Sequence, residues 1–376
     1  MINPSMGDVF VWFEGVVEDI NDPLKLGRVR VRAIGFHTPE KVELPTDCLP
    51  WASVLMPVSS ASVNGIGHSP SGLVCGAWVI GFFRDGHAAQ DPIIMGTLAG
   101  IPIVKANSAQ GFNDPNEQYP KVDYLNEPDV NRLARNESIS ETIVQTKNDA
   151  REIGVATAGG GSWNEPESPY DAKYPYNHVM ETESGHVQEF DDTPGAERIH
   201  QYHKSGTYHE IGPDGQKVTK VVSDKYTVIL GNDKIVIKKN ADKTIEGNSN
   251  NLIKGNLTIE VLGNVDINVV GETNVVTESD ANVAVGGSMN VAVAGSLTVV
   301  AEGAATINAN STCAVTSTGK TDVHVKGSST MQTDGEHFHK IRGKCAIVSD
   351  TEILFLAPTV HSNPDGVSLS DYPDPL

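Results

Sequence analysis

Between residues 247 and 343 a small residue returns at every eighth position. Glycine fills the slot at Gly247, Gly255, Gly263, Gly271, Gly287, Gly295, Gly303, Gly319, Gly327, Gly335 and Gly343, and serine at Ser279 and Ser311. A period held over so many units marks a repeat architecture and limits the fold more than any other feature of the chain. Eight is even, and side chains on an extended backbone alternate faces with a period of two. All odd-numbered positions therefore share one face. That face carries Leu257, Ile259, Val261, Val265, Ile267, Val269, Thr273, Val275, Thr277, Ala281, Val283, Val285, Met289, Val291, Val293, Leu297, Val299 and Ala301. Asn256, Thr258, Glu260, Asn264, Asp266, Asn268, Asn274 and Asn290 fall on the other.

A strand segment of eight residues reaches about 26 Å at roughly 3.3 Å per residue, too little for one chain to coil around a core of its own. A ribbon with one apolar face cannot bury that face alone. Three copies, each supplying one side of a triangular prism, solve both problems, with small residues at corners where the chain turns sharply. The expected state is an obligate homotrimer.

An octapeptide valine/glycine repeat of this kind resembles the intertwined triple-stranded β-helix of the central spike proteins of contractile-tailed phages. It is also similar to the valine-glycine-repeat spike of the type VI secretion apparatus. The rest of the chain carries the same resemblance. Asp19-Ile20-Asn21-Asp22-Pro23-Leu24-Lys25-Leu26-Gly27-Arg28-Val29-Arg30-Val31, Trp78-Val79-Ile80-Gly81-Phe82-Phe83-Arg84-Asp85-Gly86 and Pro92-Ile93-Ile94-Met95-Gly96 resemble the N-terminal OB-fold domain of that family. Tyr174-Pro175-Tyr176-Asn177-His178, Glu183-Ser184-Gly185-His186, Asp191-Asp192-Thr193-Pro194-Gly195-Ala196-Glu197-Arg198-Ile199 and His203-Lys204-Ser205-Gly206 resemble its entry into the fibre.

Patterning agrees with an all-β chain. Residues 9–18, 27–33, 51–58, 76–83 and 92–98 read as short strands divided by turn signals, which makes a small barrel the expectation for residues 1–101. Residues 102–165 read as an extended connector: Asp114-Pro115, Tyr119-Pro120 and Glu127-Pro128 punctuate it, 129–135 is expected to form one or two helical turns capped by Asp129, and Gly159-Gly160-Gly161 loosens its end. Residues 166–225 read as a β-rich neck, 226–343 as the triple-stranded β-helix, with 226–245 in a less regular register, and 344–376 as a tip cap in which the octad dissolves.

The chain has 376 residues and a net charge of −20, about three times that in a trimer, which argues for a self-repelling surface and against nucleic acid. No run approaches the roughly 18 apolar residues of a membrane span. Residues 1–10 lack a basic-then-apolar signal pattern, so synthesis in a host cytoplasm is expected. Cys48, Cys75, Cys313 and Cys345 form no CxxC pair. Cys313 and Cys345 are too far apart along a straight prism to bridge, and read as small apolar fillers.

One repeat carries chemistry. In Gly335-Glu336-His337-Phe338-His339-Lys340-Ile341-Arg342 both histidines take odd, inward positions. Three chains would place six imidazoles around the axis in two layers, a donor set that suits six-coordinate iron(II) better than zinc, which usually takes four ligands. A similar His-x-His holds iron in the distal part of some phage spikes, and here the ion would pin the narrow end against fraying. The competing reading is that the triplets fill the bore with hydrogen-bonded water. His186, His200, His203 and His209 show no recurring ligand spacing and read as packed at trimer corners or exposed. Glu137, Glu141, Asp149 and Glu152 read as a solvated face.

No P-loop, HExxH or GxSxG is present, and no catalytic or small-molecule cofactor site is expected. The best-known spikes insert a lysozyme domain between barrel and fibre; residues 102–165 are too few for one with its own core. The resemblance implies a structural spike in the virion tail baseplate. It would seat its barrel on a trimeric hub protein and mechanically puncture the host outer membrane, and its tip would be either self-capped or a platform for a PAAR-type protein. A type VI or tailocin spike, a glycan-cleaving fibre and an adhesive fibre are the alternatives.

Overall fold

A computed structural model describes residues 10–100, 128–137, 142–337 and 339–355. The described chain is nearly all-β. Strands β1 (Val11–Asp19), β2 (Val29–Ala33), β3 (Trp51–Val54), β4 (Trp78–Phe83) and β5 (Pro92–Thr97) close into a barrel in the order β1-β2-β3-β5-β4. All pairs are antiparallel except β3 with β5. Alternation builds it: Val11, Phe13 and Val17 on β1, Val29 and Val31 on β2, Val79 and Phe83 on β4 and Ile94 on β5 point into one buried core. A Cβ at Gly81 would run into the Ile93 carbonyl and the Phe13 ring, so that crossing requires glycine. Among the described residues the barrel buries the ion pair of Arg32 and Glu18. Arg32 donates to Glu18 at 2.6 and 3.1 Å, and Thr46 donates to the same carboxylate at 2.7 Å.

The chain divides into two compact units, Met1–Glu260 and Val261–Leu376. After the barrel come helices α1 (Arg132–Arg135) and α2 (Ile143–Asp149), a two-stranded ribbon β6 (Val155–Ala156) and β7 (Ser162–Trp163), and a meander of β8 (Asn177–Glu181), β9 (Val187–Asp191), β10 (Arg198–Tyr202), β11 (Tyr208–Ile211) and β12 (Lys217–Lys220). The meander pairs antiparallel throughout. Helix α1 is capped by Asn131, whose side chain accepts the Leu133 N–H, and not by Asp129. Two separations from the sequence reading matter. Residues 102–127 lie outside the described residues, but 128–137 and 142–165 are not a plain extended connector. Leu133 of α1 and Val144 of α2 share a buried cluster with Tyr170, Ala172 and Val187. These segments thus supply part of the neck's core.

From residue 221 to 355 the chain forms no hydrogen-bonded strand among its described residues, and every one of them except Lys340 is exposed. The backbone bends at each eighth residue, beginning at Val222-Ser223 and Leu230-Gly231 and still keeping step at Asp350-Thr351. The octad therefore starts earlier than the regular glycines suggest and does not dissolve at Gly343; Ser223 and Lys239 occupy slots that glycine fills later. Residues 356–376 of the expected tip lie outside the described residues. The glycines carry a second surprise. From Gly231 to Gly343 none has a left-handed φ, and none has any atom of its own chain within 4 Å of where a Cβ would sit. The bend itself does not ask for glycine, contrary to the sharp-corner expectation.

Candidate functional site

Gly335 lies at the bend Asp334-Gly335, so His337 and His339 occupy the second and fourth positions after the corner. Leu257 and Ile259 hold those slots after Gly255, and Val265 and Ile267 after Gly263. The imidazoles thus stand in slots that are mostly apolar in the other repeats, although Ser249, Thr273, Thr321 and Ser329 also fall there. Their ring centroids are 6.3 Å apart, as expected for residues sharing one side of an extended chain, and both are exposed. Phe338 between them lies outside the described residues. Within one chain no group of three or more His, Cys, Asp or Glu is gathered among the described residues. A metal at this pair would need donors beyond these two imidazoles, from water or from another chain.

The densest chemistry is elsewhere, on the face of the β8–β12 sheet that α2 covers. Arg198 on β10 donates to Glu189 on β9 at 2.6 Å and to Glu210 on β11 at 2.7 Å. Lys147 of α2 reaches Glu210 at 2.6 Å and Ser168 at 3.1 Å. His200 sits between, with Nδ1 2.5 Å from Glu189 and Nε2 3.3 Å from the Lys147 ammonium. An ammonium can only donate, so Nε2 must accept and the ring is neutral with its proton on Nδ1, shared with Glu189. Two carboxylates then balance one guanidinium and one ammonium. Arg198, Glu189, His200 and Glu210 are each at most 3 % exposed.

Burial dominates the proton affinities. It would raise the Glu189 carboxyl, but the hydrogen bond from His200 and the Arg198 charge bring it down to about 2. Burial likewise works against Glu210, and Lys147 and Arg198 overcome it, so that carboxyl also falls below its usual range. Burial pushes Lys147 down, with Glu210 opposing. Burial also lowers His200, and the bond to Glu189 opposes it. Every charge is paired and enclosed. The arrangement has the chemistry of a structural lock, with no route for a substrate to reach it.

The remaining histidines separate into different roles. His200 is neither exposed nor at a corner. His186 and His203 stack at 4.5 Å on adjoining turns, and their Nδ1 atoms accept the N–H groups of Lys204 and Ser205 at 3.4 and 3.2 Å. That leaves the proton on Nε2 and disfavours a metal there. His209 is half-buried on the opposite face of the sheet. Glu137, Asp149 and Glu152 are exposed, as expected of a solvated face, and Glu141 lies outside the described residues. Sequence reasoning missed the ionic network because strand residues of alternating charge look solvated. The one available signal was that Glu189, Arg198, His200 and Glu210 share strand parity once β9, β10 and β11 are paired.

Comparison with known proteins gives a consistent result. Residues 35–178 match the family model of the Gp5 N-terminal OB domain. The chain is 46 % identical over 256 residues to Protein Gp5 of Vibrio phage KVP40, covering 60 % of this chain and 61 % of that protein. It is 49 % identical over 115 residues to the pre-baseplate central spike protein Gp5 of Enterobacteria phage T4, covering 29 % of this chain and 20 % of that protein. The chain thus spans about three fifths of the first relative's length and one fifth of the second's.

Proposed function

We propose that this chain, with its Gp5-type OB domain and its kinship to phage Gp5 proteins, is a structural central spike of a contractile phage tail. It would reside in the virion baseplate and act by mechanical puncture of the host outer membrane, without enzymatic activity. The observation that carries this reading is the identity to a protein named as a baseplate central spike. The octad run supports it physically. Ile259, Ile267, Val275, Val283 and Val299 are each at least 76 % exposed in a single chain. No isolated chain keeps such a row in water when a copy can cover it.

A homotrimeric, triple-stranded β-helix satisfies both the apolar row and the glycines. Glycine with ordinary φ and no crowding from its own chain is explained when another copy's backbone approaches closely. A closed prism leaves no free strand edge, which gives the stiffness a piercing device needs. The barrel would seat on a baseplate hub, and the distal end would be self-capped or carry a PAAR-type tip protein. His337 and His339, aligned on one side of the chain, fit as donors for an iron(II) ion on the axis, pinning the three chains together. The net charge of −20 supports a role without nucleic acid.

Sedimentation of the purified full chain together with metal analysis tests the reading. A trimer carrying about one iron, lost in a His337→Ala, His339→Ala variant that still sediments as a trimer, is the expected outcome. A soluble monomer would remove the spike assignment, and unchanged iron in the variant would remove the metal site alone.

A further inference from the structure

Four buried side-chain atoms among the described residues have no hydrogen-bond partner. Three of them belong to one row across the neck sheet: Asn177 Oδ1 on β8, Asp191 Oδ2 on β9 and Arg198 Nε on β10. Asn177 pairs directly with Asp191, and Asp191 with Arg198. The three residues are 4 %, 2 % and 2 % exposed. Buried polar atoms nearly always have a partner, either protein or ordered water. Three orphans side by side therefore call for one shared explanation.

The rest of each side chain is already engaged. Asn177 Nδ2 donates to the Leu133 carbonyl at 3.1 Å and to Glu189 Oε1 at 2.9 Å. Turning that amide over would set its oxygen against two acceptors. Asp191 Oδ1 accepts the Thr193 N–H at 3.0 Å, and Asp191 makes no ion pair among the described residues. Arg198 spends Nη1 on Glu210 and Nη2 on Glu189. Asn177 Nδ2 and Arg198 Nη2 meet at the same Glu189 oxygen, so the two outer side chains of the row converge, with Asp191 between them in register. Tyr170 covers this corner. Its ring lies 4.9 Å from Arg198 Cζ, and its hydroxyl donates to the Leu133 carbonyl that Asn177 also uses.

The chemistry of the orphans selects the occupant. Two are acceptors and one is a donor, so whatever fills the site must donate twice and accept once. A metal ion or an ammonium cannot accept from Arg198 Nε, and a halide cannot donate to Asp191 or Asn177. Water has two hydrogens and free lone pairs, and buried waters typically make about three hydrogen bonds. We propose that one water molecule is bound in this row, donating to Asn177 Oδ1 and Asp191 Oδ2 and accepting from Arg198 Nε. It gives the Asp191 carboxylate a hydrogen-bond donor in place of an ionic partner. Through Asn177 it also ties the Leu133 carbonyl of α1 to the ionic network. The site belongs to a single copy and does not depend on how many copies assemble.

The test is the crystal structure of the full unmodified chain at a resolution that shows ordered water, with crystals grown once in sodium chloride and once in rubidium chloride. Expected in both is one peak of water-like density within roughly 3.2 Å of all three atoms, with no anomalous signal in the rubidium crystals. A rubidium signal at the site would make it a cation site and overturn the proposal. A peak that reaches only two of the atoms would overturn it as well. So would the absence of any peak, with Asp191 and Asn177 hydrogen-bonded directly to each other.

Discussion

Phe13 in the barrel is 2 % exposed and Ile267 in the octad run is 82 % exposed, although both belong to rows of alternating apolar residues in one chain. The barrel strands close on themselves, so the inward row meets its own partners and the core is complete within a single copy. The octads bend after every eighth residue, and their apolar row stays exposed along the single chain. The same binary pattern is thus closed within one copy in the barrel, whose stability does not depend on concentration, and under the proposed trimer is left for other copies to close in the octads. The β8–β12 sheet lies between them in sequence, with the ionic network on its covered face and Phe190 and Ile199 about half exposed on the other.

The largest expected effect lies in the octads. Ile267→Asp would put a carboxylate from every copy onto the shared face, where unpaired burial of charge is prohibitive. Assembly should fail while the barrel stays folded, giving a soluble species of single-chain mass in sedimentation. A full-length assembly of normal stability from this variant would break the contrast with the barrel. The converse substitution is Phe13→Ala. It should cost the barrel about 3–5 kcal/mol by losing burial and leaving a cavity, visible as an early unfolding step in calorimetry, with the oligomeric mass unchanged.

These two regions were also the most legible in the sequence, for the same reason. Val11, Phe13 and Val17 alternate on β1, and the octads alternate over many turns, so local order alone announces an apolar face, which the barrel buries within one copy. His337 and His339 could be placed on one side by counting from Gly335. What stayed hidden depends on pairing distant in sequence. Lys147 and Glu210 meet across 63 positions, and nothing in Ile143–Asp149 announces a lysine bound for a sheet. The early octads escaped because Ser223 and Lys239 stand where glycine later marks the bend. The glycines themselves were seen, but their cause was not, since a bend that tolerates other residues looks the same in sequence as one that does not.

That cause can be sharpened by Gly263→Val. The backbone φ is ordinary and no atom of the same chain lies within 4 Å of the added carbon, so a lone chain has room for it. If another copy's backbone fills the space, overpacking should cost about 1–3 kcal/mol per site and lower the melting temperature of the assembly. An equally stable assembly would mean that glycine serves some other purpose there, and the demand for close approach would be withdrawn.

The smallest effect concerns the neck and its buried ionic network. His200 faces Glu189, Lys147 and Arg198, with Glu210 close by and the rings of Tyr202 and Tyr208 each 6.0 Å away. Its folded proton affinity is depressed below the ordinary 6.5, chiefly by burial. The unfolded chain therefore binds more protons than the folded one once the pH drops below about 6.5. The stability this group contributes is complete above that value and is lost as pH falls through the depressed folded value. The slope approaches about 1.4 kcal/mol per pH unit while the folded ring stays neutral. Glu189 and Glu210 extend the loss at lower pH, because their carboxyls are also held below 4.5. Urea unfolding of the neck between pH 7.5 and 5.5, followed by Trp163 fluorescence, should show this decline in the wild type and a flatter profile in His200→Gln, with barrel unfolding unchanged between them. An identical slope in both proteins would place the acid sensitivity of the neck outside the His200 network.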